Sequence, residues 1–467
     1  MPTIKEKITH IFLGDFIGKG IGFITSIYLA RVLGTEAFGI ITIALSYAGY
    51  CAWASDMGLS TIGSREIAKP VDQRNYNSKQ VLLAKFMLGI LISLLGFAII
   101  EFLNLSNEEK KIFQLYTLSI IPISLILEWH YNGLQRYGTV AISRVLTSSV
   151  YLILAVIFIH SATDIEKVPL FFIAGLIASA VFLGLINLKQ PILKLPFGDF
   201  GQLKKLYHNG FQVGIGSFFT NMMQYLPPII IGWFLTASDA GLYGAAMRMI
   251  LAAMIIDRIF VQLLLPNLSS QWVVNRDLAI ENMQYTSTWL IVIGTSLSIG
   301  IAISAPFIID LFYGLEYAES TVLLSTLCIF LFLTFLNSLS AFGLVAIGRD
   351  HEFLKSTLLA GAVALILYVG AGFSKNLTLI VAMVSVAELI FVIASLYYFK
   401  KYVKISIIHP IIFTISLGIG LYYLSTLVSM PPLVEGFIAA IVMVPILWLV
   451  RVLDHDHFNW FKSKILR

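Results

Sequence analysis

Long apolar segments, separated by short polar turns, follow one another along the whole of this chain. A transmembrane helix needs roughly 20 predominantly apolar residues. The repeated segments predict an all-α integral membrane protein with about 14 transmembrane helices. We place these helices at approximately 10–33, 38–63, 81–103, 112–129, 140–160, 168–188, 211–235, 241–266, 286–312, 321–347, 354–373, 377–399, 407–428 and 434–453.

The basic residues indicate how the predicted helices are oriented. Lys and Arg accumulate in the cytoplasmic loops of membrane proteins, so their distribution between alternate loops reports the topology. With the N-terminus placed inside, the great majority of the 31 Lys and Arg residues fall on the cytoplasmic side. The outer side receives Arg31, Lys110, Lys111, Lys167 and Lys375. This distribution predicts that both termini are cytoplasmic and that the number of helices is even.

The composition narrows the class of protein further. The 467 residues are 58% hydrophobic and 12% charged, whereas soluble proteins carry about 25% charged residues. No polar stretch is long enough to build a separate soluble domain, and the two cysteines, Cys51 and Cys328, lie in apolar segments. We therefore predict no disulfide framework, metal site, bound cofactor or nucleic-acid partner. The basic start lacks a small-residue cleavage site, which predicts a retained first membrane helix.

Two turns in the chain resemble each other. The stretch LGTEAFGIITIA at 33–44 follows the first predicted helix, and LTASDAGLYGAA at 235–246 follows the seventh. Aligned on Gly39 and Gly241, both contain a small polar turn, a glycine and a new apolar helix. Either short polar turns look alike by chance, or the chain has two parallel halves, because an even number of helices separates the copies. The second interpretation predicts six-helix lobes at 1–200 and 201–404, then an extra helix pair and cytoplasmic tail at 405–467.

The stretch GDFIGKG at 14–20 resembles a phosphate-binding glycine loop but lacks its spacing. A P-loop has four residues between its glycines, then Lys followed by Ser or Thr, between a strand and a helix. Here three residues intervene, glycine follows Lys19, and the surroundings are a membrane helix. Gly14, Gly18 and Gly22 instead recur every fourth residue, a spacing that lets membrane helices approach closely. We predict that these glycines pack the first helix.

Two charged residues lie within this first predicted helix. Lys19 is close to mid-bilayer, where an ionised side chain costs about 2.5–3.5 kcal/mol. Asp15 precedes it by four residues, so the two can form a self-neutralising pair on one helix. The other interpretation is a hydrated face, because Asp15, Lys19, Gly22 and Ser26 lie on the same side of the helix.

The seventh predicted helix also has one polar face. Ser217, Thr220, Asn221 and Gln224 recur at i, i+3, i+4 and i+7. Pro227 and Pro228 follow, which predicts a helix disrupted near its middle. Irregular backbone at membrane depth is tolerated where it lines a cavity or is buried in protein. The polar face is therefore expected either to line a cavity or to join neighbouring helices by hydrogen bonds.

The eighth and twelfth predicted helices carry further charges. Arg248 and Arg258 lie in the eighth, and Arg248 is the stronger functional candidate because Arg258 could extend to the cytoplasmic surface. Asp257 points away from Arg248 at helical spacing, so those two are not an obvious pair. Glu388 stands near the centre of the twelfth helix. A carboxylate there is either structural or a relay for a proton or ion.

A family resemblance becomes specific at residues 28–69, YLARVLGTEAFGIITIALSYAGYCAWASDMGLSTIGSREIAK. The arginine-containing turn, the FG pair, the polar-dotted second helix and DMGLSTIGSREIA resemble the Wzx-type polysaccharide flippases. Their superfamily also holds the multidrug and toxic-compound extruders and the lipid II flippases. The resemblance implies two six-helix lobes around a central cavity formed by helices 1, 2, 7 and 8, plus a final helix pair. It implies a transporter and not an enzyme.

The resemblance also implies a substrate. The expected cargo is an undecaprenyl-diphosphate-linked oligosaccharide, such as an O-antigen repeat unit, flipped across the bacterial inner membrane by alternating access. Cationic side chains within the helices are expected to meet the diphosphate, and arginine can bind phosphate through two parallel hydrogen bonds. Amides are expected to bind sugar hydroxyls, and one arginine to act at the release side. The candidates are, respectively, Lys19, Arg248 and Arg258; Asn221 and Gln224; and Arg31.

Energy coupling and partners follow from the same resemblance. Asp15, Asp257 and Glu388 are the candidates for coupling transport to a proton or sodium gradient. The expected partners are the lipid-linked oligosaccharide, membrane lipids, a polysaccharide polymerase and a chain-length regulator.

Two other classes of protein stay open. A cation-coupled multidrug extruder would share the fold but favour acidic and aromatic cavity residues over the basic ones found here. A membrane polysaccharide polymerase or glycosyltransferase would need a sizeable loop with polar catalytic residues. The largest predicted loop, 189–210, is short and basic, which argues against such an enzyme.

Overall fold

The computed structural model describes the backbone of residues 4–187, 200–427, 430–450 and 452–464. Side chains are described from Gly14 onward within these ranges, except for Asp15, Val71, Phe200, Gln212, Val213, Thr220, Leu263 and Lys464. All regular elements in the described ranges are helices. The prediction of an all-α protein is therefore confirmed.

The chain divides into two compact units, Met1–Gly241 and Leu242–Arg467. The predicted lobes at 1–200 and 201–404 and the tail at 405–467 stay a prediction. The helices up to the division are α1 Ile4–Asp56, α2 Leu59–Ala68, α3 Ser78–Phe102, α4 Asn107–Leu118, α5 Ile120–Leu125, α6 Glu128–Gly133, α7 Tyr137–Phe158, α8 Lys167–Ile186, α9 Phe200–Phe234 and the first turn of α10 Ala237–Ala253.

Among its described residues, the second unit contains the rest of α10 and eight further helices. Its helices are α11 Ile255–Val274, α12 Arg276–Tyr313, α13 Ser320–Ala346, α14 Asp350–Gly372, α15 Leu377–Phe399, α16 Ile408–Ser425, α17 Pro432–Leu449 and α18 His455–Lys464. Helix α13 packs against α12 and α15, and α12 also packs against α17.

Twelve helical stretches of the described chain are long and apolar enough to cross a membrane. This finding confirms a multi-pass membrane protein. The count of fourteen stays a prediction for two reasons. The stretch Phe16–Asp56 combines the first two predicted helices, and the seventh predicted helix, inside α9, is not among the twelve. The cytoplasmic placement of the termini also stays a prediction.

Gly34 marks the boundary between the first two predicted helices. Its backbone angles are φ 77° and ψ 175°, within the otherwise continuous helix α1. Residues with a Cβ rarely adopt a positive φ, whereas glycine does so at little cost. The small polar turn recognised in the sequence is therefore a real interruption of the helix.

Glycines pack α1 against α7, as the spacing predicts. A Cβ added to Gly14 would lie 2.1 Å from the Cβ of Ala141, and one added to Gly18 would lie 3.5 Å from the carbonyl carbon of Arg144. Gly22 differs, because a Cβ there would meet no atom within 4 Å. The packing prediction is thus confirmed for Gly14 and Gly18 and wrong for Gly22.

Pro227 and Pro228 do not divide α9. The helix runs from Phe200 to Phe234 with both prolines inside it, so the predicted disruption near its middle is wrong. Both prolines are buried, and neighbouring groups in a membrane protein can satisfy the carbonyls that lose their partners. Packing therefore keeps the helix in register despite two missing N–H donors.

The short helix α18 packs on α11 and α12 of the same unit. Its Trp460 Nε1 donates to Asn282 Oδ1 at 2.6 Å, while Trp289 Nε1 on α12 donates to the His457 carbonyl at 3.1 Å. The Phe461 ring lies 4.6 Å from the Trp289 ring and 6.3 Å from the Phe260 ring of α11, centroid to centroid. Hydrogen bonds and aromatic contacts together dock the final helix.

Candidate functional site

The charged candidates of α1 all lie in the segment before its interruption at Gly34. The Lys19 side chain is exposed, although it belongs to a membrane helix, and Arg31 is exposed just before the Gly34 interruption. The side chain of Asp15 is outside the described residues, so its pairing with Lys19 stays a prediction. The hydrated-face interpretation of this helix likewise stays a prediction.

The polar face of α9 is present in the first unit. Ser217 and Gln224 are exposed and Asn221 is half-buried. The Asn221 Nδ2 donates to the Ser217 carbonyl at 2.8 Å, and the Ser217 hydroxyl accepts from the Trp53 indole at 3.0 Å. The face therefore does two things, since Ser217 joins α9 to α1 while Gln224 stays accessible.

The two arginines of the eighth predicted helix occupy different surroundings. That helix is interrupted at Met254, so Arg248 belongs to α10 and Arg258 to α11. Arg248 is half-buried and lies close enough to Tyr313 and Tyr317 to interact electrostatically with both. Arg258 is exposed. The structure does not bring them together.

Asp257 of α11 and Glu388 of α15 are both buried in the second unit, and each faces a side chain of α13. Their residues are 3% and 6% exposed, and the two carboxylates are close enough to repel each other electrostatically. The Asn337 amide donates to Glu388 Oε1 at 3.1 Å, and the Ser338 hydroxyl of the same helix, α13, faces Asp257. Two residues proposed separately from the sequence thus share one buried polar cluster.

Asn337 also makes a second contact between α13 and α15. Its Oδ1 accepts from the Ser395 hydroxyl at 2.6 Å, and Ser395 is 2.8 Å from the Ser340 hydroxyl. Sequence reasoning missed Asn337 and Ser395. An asparagine within the apolar tenth predicted helix is a signal that could have been noticed, but nothing in the sequence pairs it with Glu388.

A buried ion pair lies where α1 ends. Lys85 Nζ of α3 is 3.0 Å from Asp56 Oδ1, and the lysine side chain is only 7% exposed. The same ammonium donates to the Ser60 hydroxyl at 2.7 Å, and Ser60 in turn donates to Asp56. Pairing explains how a lysine can be buried here.

Glu66 organises the polypeptide that follows α2. Its carboxylate accepts from Lys69 Nζ at 2.6 Å and from the Asn75 backbone N–H at 2.7 Å. Burial raises the pKa of Glu66, but the hydrogen bonds from Lys69 and Asn75 outweigh this effect and the pKa is lowered overall. The ionised carboxylate therefore holds the connection between α2 and α3.

The fold is one that known membrane transporters share. Lipid II flippase MurJ in an inward closed conformation is similar, with a TM-score of 0.73, 15% identity and coverage of 94% of this chain and 99% of that chain. An inward-facing multidrug resistance MATE family transporter of the MOP superfamily has a TM-score of 0.67 at 14% identity, covering 82% and 94%. At these identities the likeness shows a shared fold.

The chain belongs to the polysaccharide biosynthesis protein family, whose model matches residues 4–272. A relative in Escherichia coli (strain K12) bears the name "Putative O-antigen transporter" and is 24% identical over 383 residues, covering 78% of this chain and 89% of the relative. A relative in Haloferax volcanii, "Probable low-salt glycan biosynthesis flippase Agl15", is 22% identical over 331 residues, covering 69% and 68%. These names are those of transporters, in agreement with the predicted class.

Proposed function

We propose that this protein flips an undecaprenyl-diphosphate-linked oligosaccharide, the repeat unit of a surface polysaccharide such as O-antigen, across the bacterial inner membrane. The family membership and the names of the relatives support the substrate class. Alternating access, the plan of many transporters with internal repeats, is the proposed mode of transport. A polysaccharide polymerase and a chain-length regulator are the proposed recipients of the product.

The observation that carries this proposal is the presence of accessible cations on membrane helices. Lys19 is exposed on α1, and Arg248 is half-buried on α10 beside two tyrosines. Charges at such depth are retained for partners or for ion and substrate paths. A diphosphate is a dianionic or more highly charged group, and guanidinium and ammonium groups bind it by charge-assisted hydrogen bonds. Arg258 and Arg31, both exposed, are further proposed contacts during entry and release.

We also propose that Asp257 and Glu388 take up and release the coupling ion. Two negative charges buried this close repel each other, and a bound proton or sodium ion removes that repulsion. The Asn337 amide donates to Glu388 and the Ser338 hydroxyl faces Asp257, so each carboxylate has a polar neighbour on α13 that can stabilise its charged form when the ion leaves. Asp15 remains a further candidate for coupling.

Alanine substitution tests the diphosphate contacts. Lys19→Ala and Arg248→Ala should each abolish surface polysaccharide and cause the lipid-linked repeat unit to accumulate, while protein levels in the membrane stay normal. Lys355→Ala is the matched control, since this exposed lysine lies at the start of α14. Normal polysaccharide output from both Lys19→Ala and Arg248→Ala would refute the assignment.

A susceptibility assay separates the flippase from the alternative transporter of the same fold. Deletion of a multidrug extruder should sensitise cells to cationic drugs and leave surface polysaccharide intact. Deletion of the proposed flippase should remove surface polysaccharide and leave drug susceptibility unchanged. Loss of polysaccharide without accumulation of a lipid-linked unit would instead point to a polymerase or glycosyltransferase.

A further inference from the structure

An aromatic ring of α1 packs beside the polar face of α9 in the first unit. The Trp53 indole N–H donates to the Ser217 hydroxyl at 3.0 Å, and the Trp53 ring lies 4.8 Å from the Phe218 ring, centroid to centroid. Trp53 is only half-buried. Its ring is thus held in place by a hydrogen bond and an aromatic contact while part of it stays accessible.

The polar groups extend from this ring along α9. Asn221 is one turn from Ser217 and donates to its carbonyl at 2.8 Å, which orients the amide. Gln224 is nearly one further turn along and exposed, and its side chain makes no hydrogen bond to any described residue. An exposed amide facing hydrocarbon would lose its hydrogen bonds to water. The face that contains Trp53, Asn221 and Gln224 therefore opens onto a hydrated space.

The chemistry of this face matches a sugar. A pyranose presents C–H bonds on its flat side, which pack on the electron-rich face of an indole, and hydroxyls at its rim. Side-chain amides both donate and accept hydrogen bonds, as paired sugar hydroxyls require. A diphosphate would instead need cations, and the Lys85 ammonium beside the end of α1 is paired with Asp56. An isoprenoid chain would need a wholly apolar surface.

We infer that Trp53, Asn221 and Gln224 form a sugar-binding subsite, which takes the oligosaccharide part of the cargo near the end of α1. The inference rests on the proposed function, because it assigns one part of that substrate to one unit. By the predicted topology, this end of α1 is cytoplasmic, so the subsite receives the sugar as the substrate enters. Trp53 is the residue expected to discriminate between glycosylated and bare lipid.

Binding to the purified full-length protein in lipid nanodiscs tests the subsite. The two probes are undecaprenyl diphosphate and the undecaprenyl-diphosphate-linked repeat unit extracted from the native host. Trp53→Ala should weaken binding of the glycosylated lipid about tenfold, a loss typical of one good contact, and leave the bare lipid unaffected. Gln224→Ala should also weaken binding of the glycosylated lipid. Because this change breaks no contact among the described residues, it tests the subsite even if Trp53→Ala folds poorly. Trp233→Ala is the matched control, since Trp233 lies in α9, as Gln224 does, and is 70% exposed.

The possible results separate the subsite from the proposed function. Equal affinity of the wild type for both probes, or equal effects of the variants on both, would overturn the subsite and leave the flippase standing. Failure of the wild type to bind either probe would overturn the proposed function and the subsite with it. Selective loss of the glycosylated lipid in Trp53→Ala or Gln224→Ala, with Trp233→Ala unchanged, is the result that supports the subsite.

Discussion

Gly39 of α1 and Gly241 of α10 lie against each other in the first unit, each a few residues after the turn that precedes its helical segment. A Cβ added to Gly39 would stand 1.7 Å from the Ala237 carbonyl oxygen and 2.9 Å from the Gly241 nitrogen. A Cβ added to Gly241 would stand 2.1 Å from the Thr35 carbonyl oxygen and 3.2 Å from the Gly39 nitrogen. The two glycines on which the predicted internal repeat is aligned are therefore contact partners. A side chain at either glycine would overlap the backbone of the other segment.

Replacement of Gly39 should destabilise the protein. In Gly39→Ala the new Cβ meets backbone atoms, which cannot rotate away, so the two turns must separate at a cost of about 1–3 kcal/mol. Gly22→Ala is the control, since a Cβ there meets nothing within 4 Å and alanine favours helix by about 1 kcal/mol. Thermal unfolding of the purified variants in detergent should show a lower midpoint for Gly39→Ala alone. Similar midpoints for both variants would contradict this account.

The pair of Asp56 and Lys85 should show strong coupling. Asp56→Asn leaves an ammonium uncompensated in a site where the lysine side chain is 7% exposed, and loss of one partner of a buried pair costs about 3–5 kcal/mol. We expect the lower end of that range because the Asp56 side chain is 31% exposed. Asp56→Asn combined with Lys85→Met should recover part of the loss. A double-mutant cycle on unfolding midpoints measures this, and strictly additive effects would argue against a coupled pair.

Glu66 should make stability depend on pH in the acid range. Because its pKa is lowered in the folded protein, its contribution to stability is complete above the unfolded value of about 4.3. The contribution is then lost as the pH falls through the folded pKa. Glu66→Gln should therefore lower the unfolding midpoint at pH 7, and the gap to wild type should close on acidification. Glu108→Gln, at an exposed position, should show no such gap, and a pH-independent gap for Glu66→Gln would disprove the electrostatic explanation.

Glu388 should be required for coupling but not for binding. In proteoliposomes with an imposed proton or sodium gradient, Glu388→Gln should translocate lipid-linked oligosaccharide at the same rate with or without the gradient. Its affinity for the substrate should be unchanged, because Glu388 is buried among α13 and α15 side chains. Asp257→Asn should behave likewise, and Glu281→Gln, an exposed position on α12, should retain the response. A gradient response that survives in Glu388→Gln would exclude it as the coupling residue.

The sequence predicts those parts of the fold that depend on local chemistry. Apolar length locates the helices, and Gly34 interrupts α1 because a positive φ favours glycine. The effect of Pro227 and Pro228 was not predictable in this way, because the continuity of α9 depends on packing around the prolines. The sequence shows that the prolines lack N–H donors, but it does not show which neighbouring groups pack around them.

The buried cluster that contains Asp257 and Glu388 also could not be predicted as a unit from the sequence. Each carboxylate is conspicuous in an apolar helix, so both could be named from the sequence alone. The cluster depends on how α11 and α15 pack around α13, which also places Asn337 between helices. Side-chain identity thus suggests the members of a site, while tertiary packing decides which of them belong together.

The docking of α18 on α12 has an optical consequence. Two of the seven tryptophans of the chain, Trp289 and Trp460, lie in this contact, and each indole N–H is hydrogen-bonded within it. Departure of α18 would transfer both indoles from protein to water, and indole emission moves to longer wavelengths in a polar solvent. The protein therefore contains its own unlabelled fluorescent reporter of whether the last helix is seated.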